Sequence, residues 1–297
     1  MKDTDHPIAL HRKRLLGLAY RMLGSIVDSE DVLQDAYLRF ASADRSDVRS
    51  TEAFLTTMVT RLCLDRLKSA RVRREVYVGP WLPEPVLDVD ALSPETAVEL
   101  ADDLSFALML TLERLSGAER AAFLLHDVFD TPFSEIAVTL GKSEAACRQL
   151  AARARKAVRK ERPVEAAPNS EHQQLLASFL GACGSGDVSQ LRMLLAEDAI
   201  VYADGGGVKT SAINPIYGAD KSARFFIGLL RKSMARDAET DIAFEMINGV
   251  PGILLYLDGE LDQSLSIDIR DGKIAAIYVV RNPEKLGAVA AKLDHRR

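Results

Sequence analysis

The sequence predicts a multidomain chain: two all-α domains, the second built on a helix-turn-helix, followed by an α+β domain. Three observations carry this. Apolar residues recur at three- and four-residue spacing as far as Glu161, as buried helix faces require. After Thr240 the pattern changes to short β-rich runs separated by Asn248-Gly249, Asp258-Gly259 and Asp271-Gly272, strong hairpin signals. Two proline-bearing stretches, Gly79–Pro94 and Arg162–Ser170, break the chain between these parts.

The first helix carries Leu15, Leu18, Ala19, Met22 and Leu23 on its inner face. Ser25-Ile26-Val27-Asp28 punctuates the chain, and a second helix follows with Val32, Leu33, Ala36, Tyr37 and Phe40 inward. Ala41–Ser50 is polar and aperiodic, a loop. A third helix spans about Thr51–Arg74, with Phe54, Leu55, Met58, Leu62 and Leu67 inward. Trp81-Leu82-Pro83-Glu84-Pro85 cannot continue a helix and reads as an extended linker. Helices resume near Ser93-Pro94-Glu95, and Leu104–Glu161 reads as four of them. The short third, Pro132–Leu140, ends at Gly141, and Ser143 caps the long fourth. Beyond the second linker, helices are expected at Glu171–Cys183, Val188–Leu195 and Lys221–Lys232. A strand at Ala199–Ala203 and an antiparallel sheet over Ile242–Val280 complete the α+β part.

Composition narrows the function. The chain has 297 residues, 47% hydrophobic and 27% charged, which suits two or three globular domains of roughly 100–200 residues each. No apolar run approaches the roughly 18–20 residues of a membrane helix, and Met1–Pro7 lacks a secretory apolar core. A cytoplasmic protein without a membrane partner is expected. Cys63, Cys147 and Cys183 form no C-x-x-C pair, and His6, His11, His126, His172 and His295 are scattered, so neither metal site nor cofactor is expected. The net charge is −5, yet Lys142–Arg162 holds eight Lys/Arg against two Glu. Arg61–Glu75 holds six Lys/Arg against Asp65 and Glu75. Local charge, not the sum, sets the field a nucleic acid meets.

Phe133–Arg148 has helix-turn-helix form: Ala137 is small at the crossing, and Ile136, Leu140, Ala145 and Leu150 can form the seam. Lys142, Ser143, Glu144, Arg148, Gln149 and Arg153 are then placed toward base edges, where Arg reads guanine and Gln reads adenine. Arg155, Arg159 and Lys160 suit phosphates. The other basic stripe, Arg61, Arg66, Lys68, Arg71, Arg73 and Arg74, can share a helix face along a nucleic-acid backbone, or be a solvated face only.

These segments resemble the extracytoplasmic-function sigma factors of the sigma-70 family. Asp28–Leu38 is similar to the family's region 2 helix, and Thr60–Arg71 to the adjoining helix. The resemblance implies docking on the β′ clamp of RNA polymerase through Asp28, Glu30, Asp31, Gln34, Asp35 and Leu38. It implies −10 contacts through the Arg61–Arg74 face, and capture of a flipped base by the Ala41–Ser50 loop. Phe133–Arg155 resembles region 4, implying −35 readout and the β flap as a further partner. The C-terminal half resembles a SnoaL-like cone of the nuclear-transport-factor-2-like fold. It marks a subgroup with a fused regulatory domain and no separate anti-sigma protein.

Three marks carry that second resemblance: Trp81-Leu82-Pro83-Glu84-Pro85, Asp204-Gly205-Gly206-Gly207 and Asn282-Pro283-Glu284-Lys285. They imply contacts between domains, with Lys209 joining them. Here Val208 separates Lys209 from the glycines, and Glu284 stands where the subgroup carries Asp. Trp81 is the only tryptophan, in a stiff segment suited to docking. The glycines are a poor phosphate cradle, since no G-K-[ST] follows.

Expected boundaries are 1–77 for region 2, 78–95 for the linker, 96–162 for region 4, 163–170 for the second linker and 171–297 for the SnoaL-like domain. SnoaL-like folds include enzymes, but His172 and His295 lie at the ends of this half, and the faces of Asp262, Asp268 and Tyr278 are open. The expectation is a non-enzymatic sigma factor. The alternative is a helix-turn-helix regulator with a ligand-sensing or enzymatic domain.

Overall fold

The computed structural model describes residues 7–43, 48, 50–92, 103–161, 167–234 and 239–294. The chain forms two compact units. One comprises Met1–Val76 with Asp88–Arg162, and the other Tyr77–Leu87 with Pro163–Arg297. The linker around Trp81 therefore belongs to the C-terminal unit, although it connects the two halves of the first.

In the first unit, α1 (Pro7–Leu23), α2 (Ile26–Ser42) and α3 (Thr51–Glu75) pack together. Leu15, Leu18, Met22, Val32, Leu33, Phe40, Leu55 and Leu62 are buried, as the periodicity requires, whereas Tyr37, expected inward, is exposed on α2. Ser25 caps α2 by accepting the Asp28 amide at 3.1 Å. Then come α4 (Phe106–Glu113), α5 (Gly117–Phe123), a π-helical turn (Leu124–Val128), α6 (Phe133–Leu140) and α7 (Glu144–Glu161). The π-helical turn has no counterpart in the sequence reading, because no residue pattern distinguishes it from α-helix. Gly141 ends α6 in the left-handed region with φ +62°, and Ser143 accepts the Ala146 amide at the head of α7. The α6–α7 seam holds Ile136 and Leu150, with Cys147 buried there while Ala145 is exposed. The helix start expected near Ser93-Pro94-Glu95 lies outside the described residues.

In the second unit, α8 (Asn169–Ser185) and α9 (Val188–Leu194) precede β1 (Leu195–Asp204), β2 (Ile216–Tyr217) and α10 (Ala219–Met234). β3 (Thr240–Ile247), β4 (Val250–Leu257), β5 (Glu260–Arg270), β6 (Lys273–Val280) and α11 (Pro283–Asp294) follow. The sheet order is β2-β1-β6-β5-β4-β3. The three hairpin pairs, from Asn248, Asp258 and Asp271, have positive φ at both residues, the two-residue turn that matches strand twist. The expected antiparallel sheet over Ile242–Val280 forms as β3–β6, and β1 joins it through a parallel pairing with β6, Val201 beside Ile277. Local turn signals cannot report such a pairing, because β1 and β6 lie far apart in sequence. α11 was not expected as a helix, though Asn282 caps it and Pro283 opens it.

Helices α8, α9 and α10 cover one face of this sheet. Val201, Ala203, Ile253, Leu265, Ile267, Ile277 and Val279 meet Leu176, Phe179, Leu191 and Phe226 there. Asp268 and Tyr278 alternate with these core residues, so they belong to the other face, where the Tyr278 hydroxyl donates to Asp268 at 2.7 Å. This unit is an α+β domain, one six-stranded sheet with helices against one face. Among the described residues no helix is long and apolar enough to cross a membrane, and no group of His, Cys, Asp and Glu is arranged to hold a metal ion.

Candidate nucleic-acid interface

Helix α7 presents Glu144, Ala145, Arg148, Gln149 and Arg153 to solvent, with Lys142 and Ser143 exposed just before it. The opposite side, Cys147, Leu150, Ala151, Ala154 and Val158, is buried. That division fits a recognition helix lying in a groove. Its arginines are not equivalent. Arg153 bonds Glu119 of α5 at 2.7 Å, and Arg155 bonds Asp127 of the π-helical turn at 2.5 Å. Bonds from Ser116 and Arg153 hold the Glu119 carboxyl below its ordinary range against its partial burial. Arg148 bonds Glu144 at 2.6 Å and lies over the Phe133 ring.

The Arg61–Arg74 stripe is divided. Arg66 turns to α2, bonding Asp28 at 2.7 Å and Asp31 at 2.7 Å. Burial draws its pKa down, but these bonds outweigh it and hold the guanidinium above its ordinary value. Arg61 reaches the C-terminal turn of α6, donating to the Thr139 carbonyl at 3.1 Å and the Val138 carbonyl at 2.8 Å. A cation there satisfies carbonyls left open at a helix end and faces the negative pole of its dipole. Thr57 and Thr139 share a hydroxyl bond beside it. Lys68 pairs with Asp65 on the surface at 2.8 Å. The side chains of Arg71, Arg73 and Arg74 lie outside the described residues, as do residues 44–47 and 49 of the expected Ala41–Ser50 loop, whose first two residues close α2.

The α2 face opposite the core carries Asp31, Gln34, Asp35 and Leu38, all exposed. Val27 is 57% exposed and Leu38 60%, so the acidic face also offers apolar surface. Glu30 pairs with Arg12 at 2.6 Å.

In the C-terminal unit, the linker is docked, and Asp204 is its hub. This carboxylate is fully buried. It accepts the Tyr77 hydroxyl at 2.5 Å, the Leu82 amide at 2.8 Å, the Gly206 amide at 3.0 Å and Lys285 Nζ at 2.6 Å. Lys285 also donates to the Leu82 carbonyl at 2.6 Å, with its ammonium 4.2 Å from the Trp81 ring centre and 4.8 Å from that of Tyr77. Leu82, Pro83, Glu84 and Pro85 are buried. Burial first, then the Asp204 carboxylate, pushes the Tyr77 hydroxyl above its ordinary range, so it stays a donor. Asn282 donates to the Tyr77 oxygen at 2.9 Å and caps α11 through the Glu284 amide at 3.0 Å. The three quoted marks thus meet around one carboxylate.

Lys209 sits apart from this cluster. It bonds Asp262 at 3.1 Å, which also takes Arg281 at 2.8 Å. The Gly205 carbonyl closes the turn by accepting the Val208 and Lys209 amides, and Gly207 abuts Val78. Sequence reasoning missed Tyr77 and Asn248. Asn248 exchanges two bonds with Val86, at 2.7 and 2.9 Å, as a strand partner would. Its Asn-Gly signal announced only the hairpin.

Gly206 has φ +64°, and a Cβ there would meet the Asn282 side chain at 2.4 Å. Gly206→Ala is expected to lower the stability of this unit by on the order of 2 kcal/mol. Gly181→Ala, on α8 in open space, is expected to gain up to about 1 kcal/mol. Urea unfolding of both variants checks this.

The family described as Sigma-70 region 2 matches residues 8–73, and that described as Sigma-70, region 4 matches residues 105–158. The chain is 39% identical to the ECF RNA polymerase sigma factor SigJ of Mycobacterium tuberculosis, over 96% of this chain and 93% of that one. It is 32% identical to the probable ECF RNA polymerase sigma factor SigI of the same organism, over 95% of this chain and 94% of that one. The crystal structure of SigJ superposes with a TM-score of 0.73 at 35% identity, covering 94% of this chain and 96% of that one. With both sigma-70 regions matched in order and relatives aligned along almost its whole length, the chain belongs to the extracytoplasmic-function sigma factors of the sigma-70 family.

Proposed function

We propose that this protein is an alternative sigma factor. It binds core RNA polymerase and directs initiation at promoters bearing −10 and −35 elements, and its fused SnoaL-like domain adjusts that activity without catalysis of its own. The observation that carries this is one chain holding both an exposed acidic–apolar α2 face and an exposed α7 face rich in Arg and Gln. The α2 face, Asp31, Gln34, Asp35 and Leu38, meets the β′ clamp, with Asp28 and Glu30 at its margin. Region 4 meets the β flap while Lys142, Ser143, Glu144, Arg148, Gln149, Arg153 and Arg155 lie along the −35 element. Arg61, Arg66, Lys68, Arg71, Arg73 and Arg74 serve the −10 element. Binding energy from single-stranded DNA, not covalent chemistry, holds the melted strand. A cytoplasmic location follows from the partner.

Regulation follows from the linker. The segment joining region 2 to region 4 is buried on the C-terminal unit around Asp204, so the tether between the two DNA-binding regions is held. Arg61 and Arg66 are likewise engaged in the free chain, by α6 and by Asp28 with Asp31. Polymerase and promoter then shift the population toward chains in which these groups are released. A built-in control of this kind needs no separate anti-sigma protein.

The test is run-off transcription with core polymerase, using the full chain and chains ending after Arg162 and before Asn282. Promoter-dependent transcript from the full chain is expected, with a level that changes on truncation. No transcript from any chain removes the sigma-factor assignment; equal transcript from all removes the regulatory role.

A further inference from the structure

The α7 arginines differ in what holds them. Arg153 and Arg155 are tied back to Glu119 and Asp127, whereas Arg148 is held by residues of the helix-turn-helix itself. Its guanidinium carbon lies 5.3 Å from the Phe133 ring centre, and one nitrogen bonds Glu144 at 2.6 Å. Phe133, the first residue of α6, is half-buried. The His126 ring packs on it with 4.1 Å between ring centres, and His126 Nδ1 lies 3.2 Å from the Thr131 carbonyl oxygen. The π-helical turn supplies His126; such turns crowd an extra residue into the helix and place its side chain off the α-helical register. A fixed imidazole thus backs a fixed phenyl ring, and the ring carries a guanidinium on the second turn of the recognition helix, with the arginine side chain 57% exposed.

We propose that Phe133 is a positioning residue for base readout. It holds Arg148 ready to grip a guanine edge, and so sets preference at one −35 position without touching DNA. An arginine that reads guanine uses two parallel N–H bonds from a planar fork. A free arginine loses rotamer entropy when it forms them, and one already laid on a ring loses less. Glu144 restrains the same fork from the side, which bars competing orientations. The inference rests on α7 being the −35 helix, and the test separates the two ideas.

The full-length chain and its Phe133→Leu, Phe133→Tyr and Arg148→Ala variants are each combined with core polymerase. Each holoenzyme selects from a promoter library randomised across the −35 element. The native chain is expected to prefer guanine at one position by about tenfold or more. Arg148→Ala abolishes that preference and leaves other positions alone. Phe133→Leu reduces it by about threefold, the size of an exposed cation–π contact, while Phe133→Tyr restores it. The salt dependence of binding, set by phosphates, stays the same in all four. If Phe133→Leu leaves the preference intact, or weakens every position alike, Phe133 is structural only and the proposal falls. If Arg148→Ala changes no position, Arg148 is not a reader and the proposal falls, while selection at other positions keeps α7 as the −35 helix. If the native holoenzyme selects no −35 base at all, the assignment of α7 fails with it.

Discussion

Asp204→Ala is expected to cost the C-terminal unit about 3–5 kcal/mol and to free the linker. The carboxylate is fully buried and Lys285 is 7% exposed, so removing the acid strands an ammonium away from water. Three further donors, from Tyr77, Leu82 and Gly206, lose their acceptor at once. The Trp81 ring cannot replace the acid, because a cation–π contact contributes only about 0.5–2 kcal/mol. Trp81 is the only tryptophan in the chain, so its fluorescence reports docking without a label. A red-shifted emission, with α8–α11 and the sheet still folded by circular dichroism, is the expected signature. Lys285→Met should do less harm, since the remaining carboxylate keeps the Tyr77, Leu82 and Gly206 donors. The double variant should cost less than the two single losses summed, because the partners act as one unit. Additive losses, or unchanged Trp81 emission in Asp204→Ala, would show that the linker is held elsewhere.

Helices and hairpins were legible because their signals are local. Ser143 announces a helix start, Gly141 a helix end, and Asn248-Gly249 a two-residue turn; each acts within a few residues. The parallel pairing of β1 with β6 was not legible, since it joins residues more than seventy positions apart and leaves no turn between them. The candidate site divides in the same way. That Lys142–Arg155 forms the exposed basic side of a helix follows from period and charge. That Arg66 bridges Asp28 and Asp31, or that Arg61 closes the end of α6, does not, because a run of arginines carries no mark of which ones spend their charge inside the protein. Tyr77 shows the limit most clearly: an ordinary residue beside a linker, given meaning by a carboxylate that arrives from β1.

Arg120→Ala is expected to produce the largest loss in the sigma unit, about 3 kcal/mol. Arg120 lies on α5 and is 3% exposed. One nitrogen bonds the Met22 carbonyl at the end of α1, and another bonds Glu113 at 3.3 Å. Arg21 and Arg14 make the same kind of link: Arg21 donates to the Leu92 carbonyl at 2.9 Å, and Arg14 to the Phe129 carbonyl at 2.6 Å. Arg120 and Arg14 thus fasten region 2 to region 4, and Arg21 fastens region 2 to the segment preceding region 4, all by backbone carbonyls, acceptors whose chemistry does not vary with sequence. Burial pushes the Arg120 pKa down to about 10, so the folded state carries a desolvation cost for this charge. That cost decides between substitutions. Methionine removes the buried charge and roughly keeps the volume, leaving an unpaired carbonyl worth about 1–3 kcal/mol against a regained desolvation cost of similar size. Alanine adds a cavity, worth about 2 kcal/mol more. The sign of the pH effect is also fixed. Because the folded pKa lies below the unfolded one, the cost of the charged form is complete below about pH 10 and is relieved as pH rises through that value. At neutral pH the comparison is therefore between fully charged arginine and the neutral replacements. Urea unfolding of Arg120→Ala and Arg120→Met measures it. A loss under about 1 kcal/mol in the alanine variant would mean that this seam is not fastened by Arg120, and equal losses in both variants would mean that its bonds, not its filled volume, hold α5 against α1.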